Sequence, residues 1–431
     1  MIIDDLRLTL INFYLFILFM DEDNIFKKIN SKALKLYDLE KELSIDSNDA
    51  TNIRLNYLGN KFGFDTSKFS DNCIDFNKAV NRNIENSIGS VKIPLGYAGD
   101  IKVNGIYAKS LYPILMATTE GKLVAGVSRG INIVDLNGGV STKVLSDGMT
   151  RDILVDAYNI DNAFIVKNFI ESNEGNNFLV KAFSENTSHG KMNSVKVFQI
   201  GKLLHIRFNA FTGSAMGMNM ITIASKHAID SLIDRFKSDS IELKIISESG
   251  NMCSDKKPSY INFLEGRGVS ITAEAIISEK TLNKFGISSR SIERLNRLKN
   301  LEGSAMAGSN GFNGHVANIL AAMYIAYGQD VAQIVEGSQA IVEAESTEKG
   351  LYISILMPSI EVGTYGGGTS LESQKEALKM IGLYGSNDYK GITRLAFAEV
   401  ICSVALAGEL NLLMVEAANQ LSSSHGSLNR K

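Results

Sequence analysis

Apolar positions in this chain change their spacing from segment to segment, which divides the chain into helical and strand-like parts. Between residues 20 and 84, Leu36, Leu39 and Leu43 recur at helical intervals among Asp, Asn and Lys, which predicts a helical N-terminal region. The same spacing predicts further helices at about 216–237, 315–327 and 392–421.

Short apolar runs bounded by glycine or polar residues predict strands at 203–211, 241–249, 268–277 and 351–359. Strands and helices alternate between residues 145 and 247, which is typical of a compact α+β module. We therefore predict an α+β protein with a helical N-terminal region and a compact α+β module at 145–247.

Composition places the chain among large globular proteins. Its 431 residues are 45% hydrophobic and 21% charged, which allows a large core and two or three domains. A net charge of −3 offers no basic field for a nucleic-acid backbone, so nucleic acid is not an expected partner. Three cysteines at unpatterned spacing indicate a reducing compartment, so we expect a cytoplasmic location. Five histidines form no ligand spacing with one another or with cysteine, so no metal site is predicted.

Residues 1–19 contain most of an apolar run, Leu8–Met20, that is interrupted by Thr9 and Asn12. The run is shorter than the ~20 residues that span a bilayer. Acidic residues stand on both sides of it, unlike the flanks of a signal peptide. An over-long gene start before Met20, a docking helix and a membrane anchor are the three interpretations, and membrane attachment is not the expected one.

Four acid or base residues lie in short sequence blocks whose residue types are hard to explain as parts of a hydrophobic core. They are Glu120 in ATTEG, Lys256 in SDKKP, Asp330 in YGQD and His425 in SSSHG. Each block also has an ordinary interpretation. ATTEG could be a helix start, SDKKP a charged turn, YGQD a polar loop after a helix, and SSSHG a solvated tail. The chemical interpretation is that a lysine beside a carboxylate stabilises a developing oxyanion, while carboxyl and imidazole groups transfer protons.

Three glycine-rich stretches, at 85–99, 212–220 and 361–370, expose backbone N–H groups that can hold phosphates. The second opens the helix predicted at 216–237, with Ser214 as its expected N-cap, so the positive end of the helix would face an anion. None of the three has the glycine spacing of a dinucleotide-binding fingerprint.

In their order along residues 85–430, the blocks resemble hydroxymethylglutaryl-coenzyme A (HMG-CoA) reductases. ENSIG, ATTEG, DGMTR, SAMGMNM, DKKP with EGRG, GQD, GTYGGGT and SHGSLNR carry the resemblance, and SNGFNGH, VEGSQAI and GELNLL resemble the archaeal branch of class I. The resemblance implies that HMG-CoA is reduced to mevalonate and CoA by two hydride transfers from NADPH. It also implies a large α/β domain for CoA and HMG, formed by 85–144 and 248–431, with a small ferredoxin-like NADP(H) domain inserted at 145–247. A homodimer or dimer of dimers with its active site at the subunit interface is implied as well.

The resemblance assigns roles to the matching positions of this chain. Lys256 would stabilise the oxyanion, Glu120 would protonate the aldehyde, and Asp330 would set the charge of both. His425 would protonate the departing thiolate. Cofactor-binding residues would be Ser188, Ser214, Met216, Gly217, Met218, Asn219, Gln329, Gly366, Gly367, Asn429 and Arg430. Substrate-binding residues would be Glu85, Asn86, Lys143, Ser249, Asp255 and Lys257.

Three positions depart from the family pattern. Ser214 replaces an aspartate, Lys143 replaces an arginine, and Ser188-His189-Gly190 replaces a Ser-Arg-Phe segment that reads the 2′-phosphate of NADP. Lysine lacks the two-pronged grip of arginine on a carboxylate or phosphate. The choice between NADPH and NADH therefore stays open, and a weakly active or inactive paralogue that binds CoA esters or regulates a partner is the alternative function.

Overall fold

The computed structural model describes residues 22–31, 33–62, 66, 74–385 and 390–428, with the side chains at 37, 58, 62 and 420–428 outside the description. Residues 1–19, and with them nearly all of the apolar run, lie outside the described residues. The chain divides into two units, residues 1–93 with 371–373 and residues 94–370 with 374–431.

The smaller unit is helical in its described part. Its helices are 22–30, the 3₁₀ turn Leu36–Asp38, Leu39–Leu43, Ser47–Phe62 and Phe76–Ala79. Its small core is formed by Ile25, Ile29, Leu34, Leu39, Ala50, Ile53 and Tyr57. Arg54 is buried against that core, where its guanidinium contacts the carboxylate of Glu40, so the buried charge is paired.

Nine strands form the framework of the larger unit. They are β1 Leu95–Asn104, β2 Lys109–Ala117, β3 Val140–Asp156, β4 Lys191–Ile200, β5 Leu203–Phe211, β6 Lys244–Ser247, β7 Gly268–Ile277, β8 Ile341–Thr347 and β9 Gly350–Ile360. Six of them form a sheet in the order β2-β1-β3-β7-β9-β8. In this sheet β1 pairs with β3 in parallel and the other neighbours are antiparallel. The predicted mixture of helices with a mixed sheet is confirmed.

Strand β3 belongs to two sheets. Ser141–Gly148 pairs with β7, whereas Met149–Asp156 pairs with β5. The second half of β3 thus joins an antiparallel sheet in the order β4-β5-β3-β6. A Cβ at Gly148, where β3 changes partners, would lie 1.9 Å from Oδ1 of Asn209, so the change requires a residue without a side chain.

Each sheet has its own hydrophobic core and its own helices. The helices on the small sheet are Ile160–Glu171, Asn173–Glu185 and Met218–Lys237. The remaining helices are Leu123–Leu136, Tyr260–Glu265, Glu279–Asn283, Ser289–Asn296, the π-helix Arg297–Gly303, Ser304–Ala307, Val316–Ala326, the 3₁₀ turn Val331–Gln333, Ile334–Gly337, the 3₁₀ turn Gly367–Ser370, Glu372–Met380 and Ile392–Leu428.

The C-terminal helix, Ile392–Leu428, passes through the larger core and carries two buried carboxylates. Glu399 accepts hydrogen bonds from three consecutive backbone N–H groups, at 106–108, over 2.6–3.1 Å. Glu409 accepts from the N–H groups of Gly314 and His315, both at 2.7 Å. Amide donors therefore compensate for the lost hydration of both carboxylates and fix two loops against the helix.

By length and composition alone, the Ile392–Asn419 part of this helix could cross a membrane. However, 89% of its most apolar window is buried inside the protein, which is the usual situation of a core helix in a folded domain.

Helix Leu123–Leu136 approaches the C-terminal helix closely at Gly130, where a Cβ would lie 1.9 Å from the carbonyl oxygen of Ala407. We expect Gly130→Ala to lower the free energy of unfolding by about 2 kcal/mol or more, because a backbone carbonyl cannot move aside as a side chain can. Gly303→Ala is the control, since its Cβ would meet no atom closer than 3.5 Å. Denaturant unfolding measures both variants, and equal midpoints would contradict the close approach.

Candidate active site

Lys256 lies in a loop with a strained backbone. The loop, residues 249–257, follows β6, and its residues Asn251, Ser254 and Lys256 have positive φ angles of 70°, 53° and 59°. Such conformations cost ~1–3 kcal/mol each and persist only where the surrounding structure enforces them. The contacts of this loop therefore decide where Lys256 points.

Two strands and one helix hold the loop. Asp152 on β3 accepts a hydrogen bond from the N–H of Met252 at 3.0 Å, and Arg207 on β5 donates to the carbonyl oxygen of Met252 at 3.0 Å. Near the other end, Oε1 of Glu336 accepts from the N–H of Lys256 at 2.6 Å. The lysine is thus positioned through its backbone as well as through its side chain.

The side chains of Lys256 and Asp330 form an ion pair, with Nζ 2.8 Å from Oδ2. Asp330 follows Gly328, which ends the preceding helix with a φ of +68°. A Cβ at Gly328 would lie 2.4 Å from the carbonyl oxygen of Gly368, so the turn is packed against the glycine-rich loop. The hydrogen bond that Lys256 donates to Asp330 raises the pKa of Lys256, which keeps the ammonium charged.

Asp255 is held by a buried guanidinium. Nη2 of Arg267 lies 2.9 Å from Oδ1 of Asp255, and Nε2 of Gln333 donates to the same oxygen at 3.0 Å. Burial alone would raise the pKa of Asp255, but the charge of Arg267, the hydrogen bond from Gln333 and the charges of Lys256 and Arg151 together lower it. Asp255 is therefore ionised beside Lys256.

Arg267 also binds two further carboxylates and a sulfur atom. Its Nη1 lies 2.9 Å from Oε1 of Glu336 and 3.5 Å from Oε1 of Glu361, and its Nη2 donates to Sδ of Met218 at 2.8 Å. One side chain thus connects the start of helix Met218–Lys237 with the loop of Lys256 and with the end of β9.

Glu120 is exposed, just beyond the end of β2, and its Oε1 accepts a hydrogen bond from Nδ2 of Asn318 at 3.4 Å. Asn318 lies in the first turn of the helix that leads to Asp330. Among the contacts of the described side chains, none joins Glu120 to Lys256. A helix does follow this block, but it begins at Leu123 with Lys122 as its N-cap and no side-chain cap, so the threonines of ATTEG do not cap it.

The expected N-cap at Ser214 is wrong. Helix Met218–Lys237 has Gly217 as its N-cap, with a φ of 90° and no capping side chain. Ser214 is buried instead, with its Oγ 3.3 Å from Oγ1 of Thr393. The positive φ of Gly217 turns the chain into the helix later than the serine pattern predicts.

The other expected cofactor residues lie in several surface loops of the larger unit. Oε1 of Gln329 accepts from the N–H of Gly363 at 2.8 Å. Gly366 and Gly367 are exposed and have positive φ angles. Ser188 is exposed before β4, Met216 is half-buried, and Asn219 is exposed in the first turn of helix Met218–Lys237.

The expected substrate residues divide between the two units. Four of the six, including Asp255, lie in the larger unit: Nζ of Lys257 donates to the carbonyl oxygen of Asp255 at 2.9 Å, Ser249 accepts from Arg151 at 3.2 Å, and Lys143 is exposed on β3. Glu85 and Asn86 are exposed in the smaller unit.

His425 lies on helical backbone, since the C-terminal helix continues to Leu428 beyond its predicted end. Its side chain is outside the described part of the chain. Asn429 and Arg430 also lie outside the described residues.

Sequence reasoning missed Arg267, Glu336, Glu361 and Asn318. The first three stand in the blocks EGRG, VEGSQAI and EVGTYGGG, which were noted without a role for their charges. A signal was present, because Arg267 directly precedes the apolar run of β7 and Glu361 directly follows that of β9. A charge next to a buried strand needs a partner. Asn318 carried no comparable signal.

Comparison with known proteins identifies the family. A sequence model described as hydroxymethylglutaryl-coenzyme A reductase matches residues 50–430. The HMG-CoA reductase of Pyrococcus abyssi is 44% identical over 413 residues, which cover 95% of this chain and 100% of the relative. That of Methanocaldococcus jannaschii is 42% identical over 411 residues, which cover 95% and 99%.

A solved structure shares the fold. The class II HMG-CoA reductase of Streptococcus pneumoniae, bound to NADPH in open conformations, has a TM-score of 0.60 with 77% of each chain covered and 18% identity. At this identity the likeness concerns the fold alone.

These matches place the chain among the oxidoreductases that act on a coenzyme A thioester. Within that class, it belongs to the HMG-CoA reductase family. The resemblance inferred from the sequence blocks, including its archaeal character, is confirmed.

We expect Asp330→Asn to move the alkaline limit of activity to lower pH. The carboxylate raises the pKa of Lys256, so its loss lets the ammonium deprotonate earlier as pH rises. The measurement is kcat/KM for HMG-CoA reduction between about pH 6 and 10. Glu348→Gln, at an exposed turn away from the loop, is the control and should leave the profile unchanged. An unshifted alkaline limb in Asp330→Asn would show that another group governs the lysine.

Proposed function

We infer that the chain is an active HMG-CoA reductase, which reduces HMG-CoA to mevalonate and free CoA with two molecules of NADPH. The observation that carries this inference is the 2.8 Å ion pair between Lys256 and Asp330, which keeps a cation in place for a developing oxyanion. No described feature favours a weak or inactive paralogue.

We assign the chemical steps to the charged residues of the site. Addition of a hydride places negative charge on the thioester oxygen, and Lys256 balances it. Collapse of the resulting hemithioacetal breaks the C–S bond, and the CoA thiolate takes a proton from His425. The aldehyde accepts the second hydride on carbon while Glu120 protonates its oxygen. Asp330 keeps Lys256 charged throughout.

The start of helix Met218–Lys237 supports NADPH binding. Its first-turn N–H groups have no side-chain cap among the described residues, so they are available to a pyrophosphate. NADPH supplies the two hydrides. The proposed cofactor residues are Ser188, Ser214, Met216, Gly217, Met218, Asn219, Gln329, Gly366, Gly367, Asn429 and Arg430.

The small sheet supports a separate cofactor domain. In chain order, its elements are β3, two consecutive helices, β4, β5, helix Met218–Lys237 and β6. With the sheet order β6-β3-β5-β4, this matches the βαββαβ pattern of ferredoxin-like domains. We propose that residues 145–247 form such a domain, inserted in a catalytic domain made of 85–144 and 248–431.

The charges near Lys256 suit an acyl-CoA substrate that carries a free carboxylate. Lys257 and the exposed Lys143 offer ammonium groups, and Ser249 offers a hydroxyl. We propose these residues, with Asp255, Glu85 and Asn86, as the substrate-binding set.

The purified chain is expected to oxidise two NADPH for each mevalonate formed. Lys256→Ala should lower kcat about 100-fold or more, because the oxyanion loses its cation. Lys349→Ala, at the exposed turn between β8 and β9, should leave kcat unchanged. The same assay with NADH measures the cofactor preference that His189 leaves open. If neither cofactor is oxidised, the proposed function is wrong.

The position of Glu120 supports an active site that two subunits share. Asn318, which donates a hydrogen bond to Glu120, lies near the start of helix Val316–Ala326. Asp330 follows the opposite end of the same helix. Eight residues of helix separate Asn318 from Ala326, a rise of about 12 Å. We therefore propose that Glu120 of one subunit completes the site of Lys256 and Asp330 in the other, in a homodimer or a dimer of dimers.

Mixing inactive variants tests the shared site. A mixture of Glu120→Gln and Lys256→Ala subunits, unfolded and reassembled together, should recover roughly a quarter of wild-type activity, because half of the dimers are mixed and one of their two sites is intact. Lys256→Ala mixed with Lys256→Met is the control and should recover none, since no subunit then supplies the lysine that pairs with Asp330. Equal recovery in both mixtures, or none in either, would refute the shared site.

We also propose a cytoplasmic location, without membrane attachment. The 89% burial of the apolar C-terminal helix window supports it.

A further inference from the structure

A cluster of buried charges lies directly under the Lys256 loop. The side chains of Arg267, Glu336 and Glu361 are each 0% exposed. Nη1 of Arg267 lies 2.9 Å from Glu336 and 3.5 Å from Glu361, and its Nη2 lies 2.9 Å from the partly exposed Asp255. Three carboxyl groups thus face a single guanidinium.

The charges in this cluster do not balance. Lys256 directs its ammonium to Asp330, so it does not neutralise the two buried glutamates by direct contact. Two ionised carboxylates in one buried place repel each other and lose their hydration, and the usual outcome is that one of them keeps its proton. Within the described residues, Oε2 of Glu336 and Oε2 of Glu361 have no hydrogen-bond partner.

We propose that Glu336 and Glu361 together hold one proton in the working enzyme, and that Glu336 is a positioning residue for Lys256. This part about Lys256 rests on the proposed function. Glu336 acts through the 2.6 Å hydrogen bond that it accepts from the N–H of Lys256. That bond helps to hold the lysine at its positive φ of 59°.

The pKa values of the two glutamates agree with a shared proton. Burial raises the pKa of Glu336 to about 7, although Arg267 opposes the shift. Burial and the charge of Glu336 raise the pKa of Glu361 well above its usual value.

The other charged or titratable groups facing the pair come from four elements. They are Asp255, Lys256 and Cys253 in the loop, Arg267 before β7, Tyr324 on helix Val316–Ala326 and Asp330 in the turn after that helix. Of these, Arg267 is the cation that contacts both glutamates.

A retained proton has a defined effect on stability. The unfolded chain releases this proton above the ordinary glutamate pKa of 4.5, whereas the folded protein keeps it up to about 7 or higher. The folded state then binds more protons than the unfolded state, so wild-type stability falls as pH rises through this window. An amide in place of one glutamate removes the effect, because it cannot ionise and the remaining carboxylate faces Arg267 alone.

Melting temperatures of wild type, Glu361→Gln and Glu336→Gln between about pH 5 and 8 test the shared proton. As pH rises, the melting temperature of each single variant should increase relative to that of wild type. The ratio of the wild-type to the variant unfolding constant should change by up to tenfold per pH unit. The double variant should melt below both single variants, because Arg267 loses both buried partners. Glu348→Gln is the control, and its melting temperature should differ from that of wild type by the same amount at every pH. A constant difference for Glu336→Gln and Glu361→Gln would mean that both glutamates are ionised, which overturns the shared proton.

Glu336→Gln and Glu336→Met separate the positioning role from packing. Both side chains are neutral and of similar size, but only the amide can accept the hydrogen bond from Lys256. We expect kcat within about threefold of wild type for Gln and at least about tenfold lower for Met, with the KM for NADPH changed less than kcat. Equal kcat values for the two variants would overturn the positioning role.

These outcomes are separable from a failure of the proposed function. If wild type reduces no HMG-CoA, the function is wrong, while the melting temperatures still decide whether the proton is shared. If wild type is active and the Gln and Met variants do not differ, the function stands and the positioning role fails.

Discussion

The arrangement of the site depends on the burial of one positive charge, the guanidinium of Arg267. A buried guanidinium requires acceptors in fixed directions, and Arg267 finds them on Asp255, Glu336 and Glu361. These three residues come from different segments of the chain, which are held in register because the charge must be compensated. Its additional contact with Met218 brings the start of helix Met218–Lys237 into the same arrangement.

This constraint explains how a strained loop can carry a reactive lysine. Positive φ angles at non-glycine residues are unfavourable unless neighbouring groups compensate, and the loop 249–257 receives such compensation from two strands of the small sheet and from Glu336. The side chain of Lys256 itself stays 44% exposed, which its proposed role as oxyanion stabiliser requires. A rigid backbone under an accessible side chain is the arrangement that preorganised oxyanion stabilisation requires.

Much of the fold could be predicted because each element has a local signal. Helical spacing located the helix Val316–Ala326 and its end at Gly328, and short apolar runs located β5, β7 and β9. The N-cap at Ser214 was mispredicted, because a glycine with positive φ can start a helix without any capping side chain. The division of β3 between two sheets had no local signal either, since it depends on the close approach of Asn209 to Gly148.

The family can be recognised from the amino-acid sequence alone, because the ordered blocks around Glu120, Lys256, Asp330 and His425 are specific as residue types. The same blocks indicate the four residues proposed to handle protons. Only the tertiary structure decided how the lysine is held. The contacts of Arg267 span segments more than ninety residues apart, as between Arg267 and Glu361. Compensation of a buried charge depends on distance in space, and no local pattern of hydrophobic and polar residues encodes that distance.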